Sequence, residues 1–192
     1  MGAKSLDQAN ALKVRAFFGL PVPEAQREVL AGYVERCAAA ARDFRWVPPA
    51  NLHLTVRFLG HVEQEALDAL VTQLSKQGLK GFDLELADVG TFKRGRLVRV
   101  VWIGLRRDVA AASELAATVE AECRRVGLEP EERKFQPHLT LARARGREGS
   151  APPSLPEAPR LDPWHAGELV LYQSHLGRSG SVYEPLATLR LD

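Results

Sequence analysis

Apolar positions follow two periods along the chain, and each switch between them marks an element. Residues 14–20 (VRAFFGL) form a β-rich run closed by Pro21, Val22 and Pro23. Over residues 24–41 the period becomes helical, with Ala25, Val29, Tyr33, Val34, Cys37 and Ala41 on one stripe. FRWV (44–47) reads as a short strand ended by Pro48 and Pro49, and residues 52–59 (LHLTVRFL) as a longer one. A second helix is expected over 63–76, with acidic residues in its first turn and Leu67, Leu70, Val71 and Leu74 on one side. Residues 82–89 and 96–105 alternate as strands. Asp108 is expected to cap a third helix whose stripe is Val109, Ala112, Leu115, Val119, Cys123 and Val126. A strand at HLTLAR (138–143), a connector and two strands near 167–174 and 182–191 complete the chain.

A shift of 85 residues lays the first part of this pattern on the second. VRAFFGL then meets VRVVWIGL, Gly19 meets Gly104, the Cys37 helix meets the Cys123 helix, and His53 meets His138. Each block reads strand, helix, strand, histidine. The expected fold is therefore α+β and bilobal: two pseudo-symmetric lobes, each an antiparallel sheet with flanking helices, and a cleft between them. A single domain over residues 13–192 follows, with 1–12 a polar, aperiodic tail. The connector 144–165 holds five of the twelve prolines and is expected to be a functional or mobile loop flanking a substrate groove.

Within the two histidine strands, alternation puts His53 with Thr55, and His138 with Thr140, on the face away from the leucines and valine between them. A lone strand histidine is ordinarily a hydrogen-bonded core residue. Five histidines and six threonines in 192 residues make even one His-x-Thr uncommon by chance, and here two fall at duplicated positions. That favours chemistry for this pair, and leaves His61, His165 and His175 structural or at the surface.

Zinc would want three or four ligands with supporting carboxylates, which neither strand carries near its histidine. A serine hydrolase would need GxSxG, which is absent. Two imidazoles suit concerted acid–base catalysis, one neutral and one protonated. Threonine hydroxyls suit the non-bridging oxygens of a phosphate. The residues thus point to phosphoryl transfer without metal or cofactor, with acid and base on opposite sides of phosphorus. Which histidine is the acid stays open on these grounds.

Composition adds limits. The apolar and charged fractions, 45% and 26%, belong to a globular chain, and a net charge of +2 does not by itself announce a nucleic-acid binder. Basic residues nevertheless cluster at FKRGRLVR (92–99), LRR (105–107), CRR (123–125), ERK (132–134) and ARARGR (142–147), and on one face they would attract phosphate. Cys37 and Cys123 lie on helical stripes and read as reduced core residues, which with the lack of a membrane-length apolar run or a signal-peptide core makes a cytoplasmic protein the expectation. MGAKSL departs from a myristoylation start at Leu6.

RAFFGLPVP, FRWVPPANLHLTVRFLG, DVGTF with LVRVVWIGL, FQPHLTLAR and LYQSHLGRSGSVYEPL together resemble the two-histidine phosphoesterases, within them the bacterial RNA 2′,3′-cyclic phosphodiesterases, also called 2′-5′ RNA ligases. The resemblance covers nearly the whole chain from Val14. It implies a bilobal fold with the active cleft between lobes, His53 as proton donor, His138 as proton acceptor, and Thr55 and Thr140 on the phosphoryl oxygens. It also implies metal-independent hydrolysis of RNA 2′,3′-cyclic phosphate ends to 2′-phosphomonoesters, with ATP-independent 2′-5′ ligation when an RNA 5′-hydroxyl replaces water. Arg143 follows the second motif and is carried over as a phosphate contact, although strict alternation sets it opposite His138 and so requires a bulge or twist. Arg57 shares the His53 face by alternation and reads either as a second candidate or as a solvated rim charge, and Phe92, a candidate for stacking on a base, reads first as a core residue. The expected partners are RNA ends or nucleotides carrying a cyclic phosphate, with no membrane and no metal, bound by a monomer. The alternatives are a two-histidine phosphodiesterase for a small nucleotide cyclic phosphate, or a non-catalytic RNA- or nucleotide-binding module.

Overall fold

The computed structural model describes residues 13–177 and 180–192, so the expected 1–12 tail lies outside the described residues. The elements run β1 (Lys13–Pro21), α1 (Glu24–Ala40), β2 (Phe44–Trp46), a 3-10 turn (Pro49–Asn51), β3 (His53–Glu63), α2 (Gln64–Leu74), β4 (Phe82–Arg94), β5 (Leu97–Arg107), α3 (Val109–Arg125), β6 (His138–Ala144), β7 (Trp164–Ala166), β8 (Glu168–Gly177) and β9 (Gly180–Arg190). The described strands join in one antiparallel sheet of order β7-β4-β5-β6-β3-β1-β8-β9, with β2 paired to β6. The α+β expectation holds.

At the centre, β3 and β6 meet through one antiparallel pair, Leu54 with Leu139. These two leucines are themselves 85 residues apart, so the two halves of the sheet join at equivalent positions. Apolar side chains form two cores around that junction. One gathers β1, β3, β8 and β9 with α2 and α3, including Phe18, Leu54, Leu67, Leu70, Val119 and Cys123. The other gathers α1 and β2 with β5 and β6, including Tyr33, Cys37, Phe44, Ile103, Leu139 and Leu141. Each half therefore lends a helix to the other: α1 follows β1 yet packs on β5 and β6, and α3 follows β5 yet packs on β3. Cys37 and Cys123 are free thiols at the centre of these cores.

Two local expectations change. In α1 the buried stripe is Leu30, Tyr33, Val34 and Cys37, and Val29 is 45% exposed. Asp108 occupies the N-cap position of α3 in the left-handed region, at φ 54° and ψ 34°, and its carboxylate makes no capping bond; Asp is among the residues that tolerate this conformation. The connector leaves the histidine strand β6 at Ala144 and runs on to α1. Its middle is strapped to α1, where the Tyr33 hydroxyl donates to the Pro156 carbonyl at 3.2 Å, Gln26 Nε2 donates to the Asp162 carbonyl at 3.3 Å, and Leu161 enters the second core.

Candidate active site

Leu54, Val56, Leu139 and Leu141 are buried, which turns His53, Thr55, His138 and Thr140 to the other face of the sheet, all half-buried. β3 and β6 pair only at Leu54 and Leu139, and each histidine directly precedes its leucine, so His53 and His138 flank this junction from opposite strands. They are close enough for the charge of His138 to act on the His53 ring. The four residues singled out by the repeat share one site.

Both rings are held in the same way. His53 Nδ1 lies 2.7 Å from the Asn51 carbonyl, and His138 Nδ1 lies 2.7 Å from the Gln136 carbonyl. A carbonyl can only accept, so in each ring Nδ1 carries the proton and the neutral imidazole keeps its lone pair on Nε2. The Thr55 hydroxyl donates to His53 Nε2 at 3.0 Å.

Arg143 and Arg57 are decided by two bulges. Along β6, Val101 pairs with Ala142 and Trp102 with Thr140, leaving Leu141 without a partner. Leu141 and Ala142 are both buried in consequence, and Arg143 returns to the histidine face, exposed. Along β3, Phe18 pairs with Arg57 and Gly19 with Thr55, leaving Val56 unpaired. Here the same slip turns Arg57 away. Its Nε donates to Glu120 of α3 at 2.6 Å and its Nη2 to the Glu129 carbonyl at 2.7 Å, with its side chain only 10% exposed. Arg57 is thus a structural clamp and not a phosphate ligand. Phe58, 85 residues before Arg143, takes the equivalent outward place at 41% exposure, with the Arg15 guanidinium 4.7 Å from its ring centre. Glu120 answers the clamp: burial works to raise its pKa, but hydrogen bonds from Arg124, Arg57 and the Glu131 backbone outweigh it and hold the carboxyl below its usual range.

Aromatic walls enclose the imidazoles. Phe17 stacks on His53 at 4.6 Å and on Tyr172 at 5.2 Å, and Tyr183 meets His53 edge-on at 5.1 Å. Phe92 meets His138 edge-on at 4.9 Å and Trp102 at 5.3 Å, so Phe92 belongs to the wall and not to the core. Gly19 makes this packing fit, because a Cβ there would sit 3.2 Å from His53 Cδ2. Phe17, Tyr172, Tyr183 and Trp102 were not singled out from sequence. The one signal for Phe17 was its alternation with Gly19, and Tyr172 and Tyr183 come from strands with no repeat partner. Of the remaining histidines, His165 bonds Asp83 at 3.1 Å, His175 bonds Glu184 at 3.0 Å, and His61 is exposed. Among the described residues no group of three or more His, Cys, Asp or Glu is placed to hold a metal ion, and no helix is long and apolar enough to cross a membrane.

Burial pushes the His53 pKa down to about 4; the charges of Arg143 and His138 add to this, and the Asn51 carbonyl works against it. His138 is lowered by burial first and then by Arg143, with the Gln136 carbonyl opposing. The unfolded chain takes up a proton at His53 near pH 6.5, whereas the folded chain does so only near 4. Between those values the unfolded state binds more protons, so stability is fully present above pH 6.5 and declines as pH falls through the window. Urea midpoints at pH 7 and pH 5 should show a smaller decline in His53→Gln than in the parent; equal declines would contradict the lowered pKa.

Two segments, residues 20–102 and 103–183, each match the family described as LigT-like phosphoesterase, and their starting points repeat close to the 85-residue offset. The RNA 2′,3′-cyclic phosphodiesterase of Escherichia coli (strain K12) is 32% identical over 173 residues, covering 90% of this chain and 93% of that protein. The protein of the same name from Methanothermobacter thermautotrophicus is 27% identical over 186 residues, covering 94% and 100%. The crystal structure of E. coli LigT complexed with 3′-AMP superposes with a TM-score of 0.77 at 30% identity, over 93% of this chain and 98% of that one.

Proposed function

The chain belongs to the LigT-like phosphoesterase family, and from that premise we propose that it opens RNA 2′,3′-cyclic phosphate ends to 2′-phosphomonoesters without metal or cofactor. The observation that carries this reading is the matched pair of imidazoles. Each is anchored at Nδ1 by the carbonyl two residues back, presents Nε2, and lies in the field of Arg143. The names borne by relatives supply the substrate class.

In this mechanism His138 Nε2 takes a proton from water as the water oxygen bonds to phosphorus. The bond from phosphorus to the 3′ oxygen breaks, and His53 delivers its Nε2 proton to that oxygen. One proton is gained and one given, and exchange with solvent resets the pair. Thr55 and Thr140 donate to the non-bridging oxygens, and Arg143 offsets the charge that gathers on them. Burial first, and the Arg143 charge after it, keep His53 neutral in the free cleft, and the negative charge of a bound phosphate favours uptake of the proton from solvent that His53 then delivers. An RNA 5′-hydroxyl in place of water would give a 2′-5′ linkage, driven by the strain of the cyclic ester. Two pseudo-symmetric lobes within one domain, residues 13–192, are part of the proposal, supported by the two cores and the two family matches.

The test is incubation with an RNA ending in a 2′,3′-cyclic phosphate, in EDTA, followed by chromatography of the terminal nucleotide. A 2′-monoester is expected. A 3′-monoester would reject the placement of acid and base, and no turnover would reject the activity.

A further inference from the structure

Beside the cleft, Arg45 of β2 is the direct cross-strand partner of Arg143. The register leaves no doubt about its face: Phe44 and Trp46 pair with Ala144 and Ala142 toward the second core, so Arg45 and Arg143 both stand on the His138 side. Both are exposed, and among the described residues neither guanidinium bonds a carboxylate. Like charges directly opposed on a sheet are destabilising, and the fold offers this pair no compensation. An anion bound between or beyond them would supply it.

The other side of the cleft is built differently. A shift of 85 takes 44–46 to 129–131, and Glu129, Pro130 and Glu131 do lie along β3 at Arg57, as β2 lies along β6 at Arg143. There the bulge has turned the arginine inward, and Glu131 stands 3.8 Å from its guanidinium. One exit from the cleft is therefore lined by two arginines without a carboxylate partner, and its counterpart by Phe58 under the Arg15 guanidinium, with Glu131 paired to the inward Arg57.

Resting on the phosphodiesterase reading, we propose that Arg45 binds the phosphate next to the reacting one, so that the RNA strand leaves the cleft over β2 and β6 and the enzyme selects oligonucleotide ends over cyclic mononucleotides. Arg42 and Arg145 continue the basic path outward, with Arg145 Nε bonded to the Arg42 carbonyl at 3.0 Å. Phosphate contacts of this kind position a strand without reading its bases.

The experiment compares kcat/KM for a tetraribonucleotide 2′,3′-cyclic phosphate with that for uridine 2′,3′-cyclic phosphate, in the parent, Arg45→Ala and Arg45→Lys. In Arg45→Ala the tetramer-to-monomer ratio should fall about tenfold, mainly through KM for the tetramer, and the salt slope for the tetramer should shrink by about 0.7. Arg45→Lys, which keeps the charge, should retain most of the slope. A ratio and slope equal to the parent's, or an equal loss on both substrates, would overturn the Arg45 assignment and leave the phosphodiesterase reading intact. Failure of the parent protein to turn over either substrate would overturn both.

Discussion

Alanine at either His53 or His138 should lower hydrolysis of an RNA 2′,3′-cyclic phosphate at least a hundredfold, the scale of losing one positioned acid or base. The two losses should not multiply in the double variant, because the proton taken and the proton given serve one displacement. A phosphodiester with a nitrophenolate leaving group separates the roles. That group departs unprotonated, so His53→Ala should approach the parent rate on it, while His138→Ala should stay slow. Near-parent turnover of the RNA substrate by either alanine variant would reject paired-histidine catalysis. His53 also packs against Phe17 and Tyr183, so urea midpoints must accompany the rates; His53→Gln keeps a polar ring-sized group there and should lose activity with little change in stability.

Loss of Arg143 should be nearly as severe for a different reason. In the proposed mechanism its guanidinium acts on the phosphoryl oxygens as well as on both imidazoles, whose pKa values its charge lowers. Arg143→Ala should lower kcat/KM about a hundredfold, as removal of one preorganised charge donor does. It should also raise the pKa of His53 and His138 together, because its charge helps to depress both. The acidic limb of the rate–pH profile should then move to higher pH. Arg143→Lys keeps a positive charge but loses the planar fork, so its rate should fall while its profile stays near the parent's. A profile unmoved in Arg143→Ala would show that the guanidinium lies too far from the rings to serve the phosphate between them.

How much of the site was legible in the chain follows from which interactions are local. Side-chain alternation is a property of a single strand, so the shared face of His53 with Thr55, and of His138 with Thr140, could be read from spacing alone. The 85-residue repeat added that the two faces correspond. The arginines could not be read this way. Arg57 and Arg143 each follow a histidine motif at the end of a strand, and alternation gives Arg57 to the cleft and denies it Arg143. The outcome is the reverse in both cases, because the unpaired residue of a bulge is chosen by the neighbouring strand: β1 skips Val56, and β5 skips Leu141. Helix stripes show the same divide. Helical spacing located α1 and α3, but Leu30 and not Val29 faces inward, since α1 docks on strands from the other half of the chain.

The order of periodic segments, the α+β class and the two His-x-Thr pairs were therefore settled by the sequence alone, since each depends on contacts within a few residues. Which arginine stands on the histidine face, which aromatics wall the imidazoles, the direction in which burial moves the His53 pKa, and the pairing of Arg45 with Arg143 were decided only in the folded molecule. Each of these depends on a register or an approach between segments distant in sequence, and such long-range pairings leave no period along the chain.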